Sequence, residues 1–223
     1  MMKTIVVGSG RASQCQKPRG WLGRFVLRNM NSRHSKVTDW GLGHVRIEPH
    51  YTILDVGCGG GRTLCKLAGV ATQGKAYGVD YSEESVAVSK RTNAAWIAMD
   101  RVEVQHGSVS QLPFPEGMFD LVTAFETHFW WPNLPTDMRE ICRVLKPGGW
   151  LVVIAEVYKG ANTTVAKLAE KYASKTGMTL LDIDEHRTLF ANAGYSEVQI
   201  IEERDKPGCA GLAENLDEPR VAG

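Results

Sequence analysis

No apolar run in this sequence approaches the roughly 18 residues that span a bilayer, and the N-terminus lacks the apolar core of a secretory signal. The expectation is a soluble, cytoplasmic protein. Cysteine is sparse and poorly spaced for cross-linking or zinc. Cys15, Cys58, Cys65, Cys142 and Cys209 are an odd set with no Cys-x-x-Cys pair, which argues against a disulfide framework and against a metal site. No shift in composition marks a second globular unit, and no internal repeat or low-complexity stretch interrupts the chain. Its 223 residues, 43% of them hydrophobic, suffice for one well-buried domain. Net charge is nearly absent too, at +1, which disfavours nucleic acid as a partner. That balance hides an asymmetry. Residues 1–50 carry nine Lys/Arg against Asp39 and Glu48, so this segment holds +7 and the remainder −6. A solvated basic arm, attraction of an anionic substrate, and contact with a lipid headgroup or nucleic acid all stay open for it.

What the chain does have is concentrated in Ile53-Leu54-Asp55-Val56-Gly57-Cys58-Gly59-Gly60-Gly61-Arg62-Thr63, an apolar strand running through a carboxylate into a glycine loop. Glycines let the backbone turn sharply and approach a ligand with no Cβ in the way, and the helix expected from Arg62 turns its N-terminal amides toward the loop. Such a loop suits a nucleoside. The dinucleotide pattern Gly-x-Gly-x-x-Gly would need glycine at position 62, where Arg62 stands, so Gly-x-Gly-x-Gly fits instead. Asp55, a carboxylate inside a strand of parallel-sheet character, is suited to a cationic group such as an amino-acid ammonium. About 20 residues past the loop, a second strand ends in Asp80-Tyr81-Ser82, where a carboxylate can accept both hydroxyls of a ribose.

From residue 50 onward strands and helices alternate, the signature of a doubly wound, mostly parallel sheet with helices on both faces. The periodicity predicts strands near 52–56, 75–79, 102–106, 119–124, 150–157 and 196–203. It predicts helices near 61–71, 83–98, 136–145, 161–175 and 182–193, with Ser82 as an N-cap and Gly194 as a terminator. Upstream, Thr4 to Gly10 imitates a strand and glycine loop, but Pro18 follows and no helix pattern does. Trp21, Leu22, Phe25, Val26 and Met30 recur at helical spacing with Arg24 and Arg28 between them. This amphipathic basic helix is suited to packing on the domain, to covering the cleft, or to peripheral contact with a membrane surface. The expected divisions are an arm and cap helix at 1–48, a ligand-binding domain at 49–213, and a disordered tail at 214–223.

Asp-x-Gly-x-Gly-x-Gly, Gly78-Val79-Asp80, Leu112-Pro113-Phe114, Phe119-Asp120-Leu121-Val122 and Arg143-Val144-Leu145-Lys146-Pro147-Gly148-Gly149 occur in that order over residues 50 to 160. Together they resemble the class I S-adenosylmethionine-dependent methyltransferases, in particular the small-molecule branch that includes the ubiquinone/menaquinone biosynthesis enzymes. The resemblance implies a Rossmann-like, seven-stranded sheet whose last strand is antiparallel. The segment from Lys206 to Ala213, with two glycines and few β-branched residues, encodes that strand weakly. It also implies S-adenosylmethionine as cofactor, S-adenosylhomocysteine as product, and a cofactor site built from Asp55, Gly57, Cys58, Gly59, Gly61, Asp80, Tyr81, Ser82, Ser108, Val109 and Phe125. Ser108 stands where many members carry Asp against the adenine amino group, and a neutral hydroxyl accepts that bond more weakly.

The segment from Ala124 to Pro132 falls where the family places the methyl group and its acceptor. It is not Asn-Pro-Pro-Tyr, so planar-nitrogen acceptors are disfavoured. Phe129, Trp130 and Trp131 can line an apolar pocket, and at least one of them is expected in the core. His128 is the first candidate for a general base and Glu126 the second. His34, Trp40 and Tyr158 are further candidates for the substrate wall, Glu156 a weaker one. The expected reaction is in-line methyl transfer to a small, partly apolar acceptor. A cofactor-binding module without turnover and an RNA methyltransferase are the alternatives, and oligomeric state is not encoded legibly.

Overall fold

The computed structural model describes residues 35–161, 164–202 and 209–215. The basic helix expected at 21–30, His34 and residues 216–223 lie outside that range. A short helix α1 (Ser35–Leu42) precedes β1 (Thr52–Val56), α2 (Arg62–Val70), β2 (Lys75–Asp80), α3 (Glu83–Thr92), α4 (Ala94–Ala98) and β3 (Val102–His106). After β4 (Phe119–Phe125) and a 3-10 turn (His128–Trp130) come α5 (Leu134–Val144), β5 (Leu145–Ala155), α6 (Thr164–Thr176), α7 (Ile183–Ala193), β6 (Tyr195–Glu202) and β7 (Cys209–Asn215). The strands lie in the order β3-β2-β1-β4-β5-β7-β6. The first five are parallel, and β7 runs antiparallel to both β5 and β6.

Alternation along the central strands splits their side chains between two cores. Leu54, Val122, Leu151 and Val153 join Met138, Ile141, Leu189 and Phe190 on the face of α5 and α7. Ile53, Leu121, Val152 and Ile154 join Leu64, Leu67 and Ala68 on the face of α2. Helix α1 lies against this second face at close range. A Cβ at Gly41 would stand 2.1 Å from Ile154 Cδ1, so only glycine admits this approach.

Three boundaries differ from the sequence expectation. The helix expected over 83–98 breaks at Asn93, whose amide donates to the carbonyls of Ser89 (3.0 Å) and Gly61 (2.9 Å). Strand β5 begins at Leu145, because Lys146 to Gly149 form an irregularity between the Phe119↔Leu145 and Leu121↔Trp150 pairs, where proline and glycine are tolerated. The segment read as a poor strand pairs from Cys209 to Asn215, taking in two residues expected in the tail. Flanking by β5 and β6 supplies the pairing that its propensity lacks.

One side chain fixes the turn that brings β2 beside β1. Arg101 donates to the carbonyls of Gly74 (2.7 Å), Thr72 (2.6 Å), Ala68 (3.2 Å) and Ala71, gathering the C-terminal end of α2 under one guanidinium. Arg101→Ala is expected to cost about 2 kcal/mol, seen as a fall in melting temperature of roughly 4–8 °C in a thermal scan.

Candidate active site

The parallel strands carry the glycine loop, the 107–114 loop and the 126–133 loop at their carboxyl ends, where an open α/β sheet binds its ligands. Gly57, Gly59 and Gly61 have φ of 73°, 50° and 78°. The amides of Gly57 and Cys58 both donate to the Val79 carbonyl, at 2.7 and 3.1 Å, folding the loop over the end of β2. At Gly61 a Cβ would meet Ser89 Oγ at 2.3 Å and Asn93 Nδ2 at 2.5 Å, so α3 backs the loop directly.

Asp80 closes this arrangement. One carboxylate oxygen accepts the Gly59 amide and the other the Ser82 amide, both at 2.9 Å. Burial raises its pKa, against the pull of those two amides. The Ser85 side chain is a third partner of this carboxylate, which as an acceptor of about four lone-pair sites keeps room for a ribose hydroxyl. Asp55 is 2% exposed on the neighbouring strand, and its Oδ1 accepts from Thr123 Oγ1 at 2.9 Å. Burial pushes its carboxyl up to about 7, with the Asp80 charge adding to the effect. A cationic group beside Asp55 would reverse that shift, so the site suits an ammonium-bearing nucleoside.

Several predicted contacts carry structural work. Ser82, 1% exposed, caps α3 through its hydroxyl, which accepts the Ser85 amide. Ser108 is exposed, but its hydroxyl accepts the Ser110 amide at 3.2 Å. The Val109 side chain is buried with Leu112 and Phe114, which leaves its backbone as the part available to a ligand. Tyr81 is exposed at the end of β2, and Phe125 is partly buried against the second core.

In the expected acceptor segment the structure separates residues that stand side by side in sequence. Phe129 and Trp131 are buried, the latter in the first core, while Trp130 is partly buried edge-on to Tyr172. Trp40 packs on the second core with its ring edge-on to His44, so helix packing accounts for it. Tyr158 donates its hydroxyl to the Glu202 carboxylate on β6.

His128 lies in a more enclosed setting than its place on the loop suggested. It is 2% exposed, and its Nε2 lies 3.1 Å from Nε2 of His186. His186 Nδ1 donates to the Asp182 carbonyl at 2.7 Å, so in the neutral pair His186 Nε2 accepts and His128 Nε2 donates. Burial, then the neighbouring His186, lowers the His128 pKa to about 3, so the imidazole is neutral near neutral pH and a weaker proton acceptor than an exposed histidine.

Glu126 has the opposite character. It is a non-glycine residue at φ 57°, held there by its amide bond to the Ile154 carbonyl (2.9 Å) and by a carboxylate that accepts the Glu156 amide. Burial drives its carboxyl up to about 8, with the Glu156 charge contributing. Thr127 links this loop to the glycine loop, donating to the Val56 carbonyl at 3.2 Å with its methyl filling the space beside Gly57.

Sequence reasoning missed the partners of these groups: Thr123, Ser89, Asn93, His186 and, on α5, Asp137. The first four are distant in sequence from what they hold, and Asp137 is distant from Ser110 though only four residues from Asn133. Glu140 accepts the Leu112 amide (2.8 Å) and pairs with Arg143, which donates to the Phe114 carbonyl (2.9 Å). Among the described residues no group of three or more His, Cys, Asp or Glu side chains is placed to hold a metal ion.

Residues 54–153 match the family model described as a methyltransferase domain. Over 112 residues the chain is 42% identical to the demethylmenaquinone methyltransferase of Symbiobacterium thermophilum, taking in 50% of this chain and 44% of that protein. Over this segment the chain is similar to methyltransferases. It spans less than half the length of the demethylmenaquinone methyltransferases it matches. The protein solved in complex with the Haloferax volcanii Trm112 methyltransferase activator shares the fold with a TM-score of 0.75 at 21% identity, over 96% of this chain and 100% of that one. Geranyl diphosphate methyltransferase, solved with GPP and sinefungin, shares it at 0.66 and 16%, over 82% of this chain and 79% of that one.

The raised Glu126 carboxyl has a stability consequence of definite sign. The folded protein binds a proton that the unfolded chain releases, so stability is lost as pH rises from about 4.5 to about 8. Glu126→Gln is expected to melt at the wild-type temperature at pH 4. It is expected to gain on the order of 2–4 kcal/mol by pH 8.5, measured by denaturant titration across that range.

Proposed function

We propose that this chain transfers a methyl group from S-adenosylmethionine to a small-molecule acceptor, releasing S-adenosylhomocysteine. The observation that carries the reading is the pair of buried carboxyls, Asp55 and Asp80, on adjacent strands around a loop of three left-handed glycines. Asp80 takes the ribose hydroxyls at the end of β2, beside its bond to the Ser85 side chain. Asp55 faces the amino-acid ammonium, either directly or through water. The 107–114 loop offers adenine the backbone around Val109, and the Ser108 hydroxyl if it leaves its local turn.

The cofactor supplies an electrophilic methyl carbon: the acceptor's lone pair forms the new bond while the C–S pair remains on sulfur, leaving a neutral thioether. The chain's part is to hold the acceptor in line and, where the acceptor carries a proton, to remove it. Glu126 is the group suited to that removal, since its carboxyl titrates near 8 at the end of β4. His128 instead holds the loop to α7. The partly buried Trp130 and the aromatic character of this loop favour an acceptor with an apolar face. The names of the relatives, which act on demethylmenaquinone or geranyl diphosphate, support an acceptor of that kind.

Calorimetric titration with S-adenosylmethionine, S-adenosylhomocysteine and NAD tests the cofactor. Binding in the micromolar range is expected for the first two and none for NAD, with Asp80→Ala at least about tenfold weaker. NAD binding alone would overturn the reading, and cofactor binding without turnover across phenol and quinol acceptors would leave a binding module. With a protonated acceptor, kcat/KM is expected to rise with pH to a plateau above about 8, and Glu126→Gln to lose that rise. A rise of the same midpoint in the variant would remove Glu126 from the role.

A further inference from the structure

Asp137 stands in the first turn of α5, fully buried, and takes no part in the reaction as described. Its two carboxylate oxygens face two different loops. Oδ1 accepts from Ser110 Oγ at 2.7 Å, in the loop that follows β3 and contains Ser108 and Val109. Oδ2 accepts from the Asn133 amide at 2.8 Å, at the end of the loop that runs from Glu126 through the three aromatics. Glu140 and Arg143, one turn and two turns further along α5, pair with each other and bond the backbone of Leu112 and Phe114. They fix the first loop to the helix. Asp137 fixes the two loops to each other.

From this geometry, and resting on the methyltransferase reading, we infer that Asp137 is a positioning residue that couples occupation of the adenine side of the cleft to the order of the acceptor loop. A buried carboxylate left with one bond pays the desolvation of an unsatisfied oxygen, so displacement of either donor is felt at the other. Ligand contact that holds residues 107–110 in place keeps Ser110 on Asp137, and through it the Asn133 amide and the residues before it. The tie uses different residues from the Thr127 link to Val56.

Adenosine separates this route from direct contact, because it carries no amino-acid tail to reach toward the acceptor side. Hydrogen exchange of the full chain is measured by mass spectrometry with and without saturating adenosine, and with S-adenosylhomocysteine as a control. In the wild type, adenosine is expected to slow exchange in both 107–114 and 126–133. In Ser110→Ala, an exposed position that leaves the core intact, slowing in 107–114 is expected to remain and slowing in 126–133 to vanish. Asp137→Asn is expected to keep both, since its amide oxygen serves Asn133 and its NH2 finds the Ser110 oxygen. Equal slowing of both loops in Ser110→Ala, or slowing confined to 107–114 in the wild type, would overturn the coupling while leaving the cofactor reading intact. Failure of both ligands to bind the wild type would overturn the two together.

Discussion

The Asp80 carboxylate is the contact on which the site's geometry rests. It joins the glycine loop, through Gly59, to the turn that starts α3, through Ser82, and it does so from the end of a buried strand. Two charge-assisted amide bonds offset much of the cost of burying it. Because Val79 next to it accepts two more amides from the loop, strand β2 and the glycine loop form one rigid unit. At two of the left-handed glycines the constraint is direct: a Cβ at Gly57 would meet Thr127, and one at Gly61 would meet Ser89 and Asn93.

The opposite wall is organised from α5. This helix begins where the 126–133 loop ends, with Asn133 as its cap, and its inward face fills the first core through Met138 and Ile141. Its remaining polar face is then free to hold loops. Glu140 and Arg143 take the 112–114 backbone, and Asp137 reaches both sides of the cleft. Helix α7 adds a second hold on the 126–133 loop through the His128 and His186 pair, and Thr179 a third through its amide bond to the Phe129 carbonyl (2.9 Å). The cleft is therefore framed by two supports, β2 with α3 on one side and α5 with α7 on the other.

Features set by local backbone chemistry were legible in the sequence. The spacing of Gly57, Gly59 and Gly61 and the placement of Asp55 and Asp80 at strand ends could be read directly. So could the capping by Ser82 and the αL stop at Gly194, whose φ is 101°. Roles set by a distant partner were not. His128 reads as an accessible base until His186, 58 residues away, is seen against it. Ser108 and Trp40 differ from it, since each is engaged by a near neighbour, Ser110 and His44, through a local serine turn and an i,i+4 contact. Strand β7 is the extreme case, since its pairing comes wholly from β5 and β6.

Three carboxyls with raised pKa, Asp55, Asp80 and Glu126, stand at the ends of β1, β2 and β4, and in each burial is the leading cause. Their placement opposes stability. Between about 4.5 and about 8 for Glu126, and between about 3.8 and about 7 for Asp55, rising pH strips protons that the folded state holds more tightly than the unfolded chain. A structural core selected for stability alone would replace such groups with apolar residues of similar volume. Their retention is understandable if a ligand completes the site, because an ammonium near Asp55 and hydroxyls at Asp80 favour the ionised forms that burial disfavours. Ligand binding and proton release are then coupled at these positions, and the same burial that weakens the empty fold strengthens each contact a bound ligand makes.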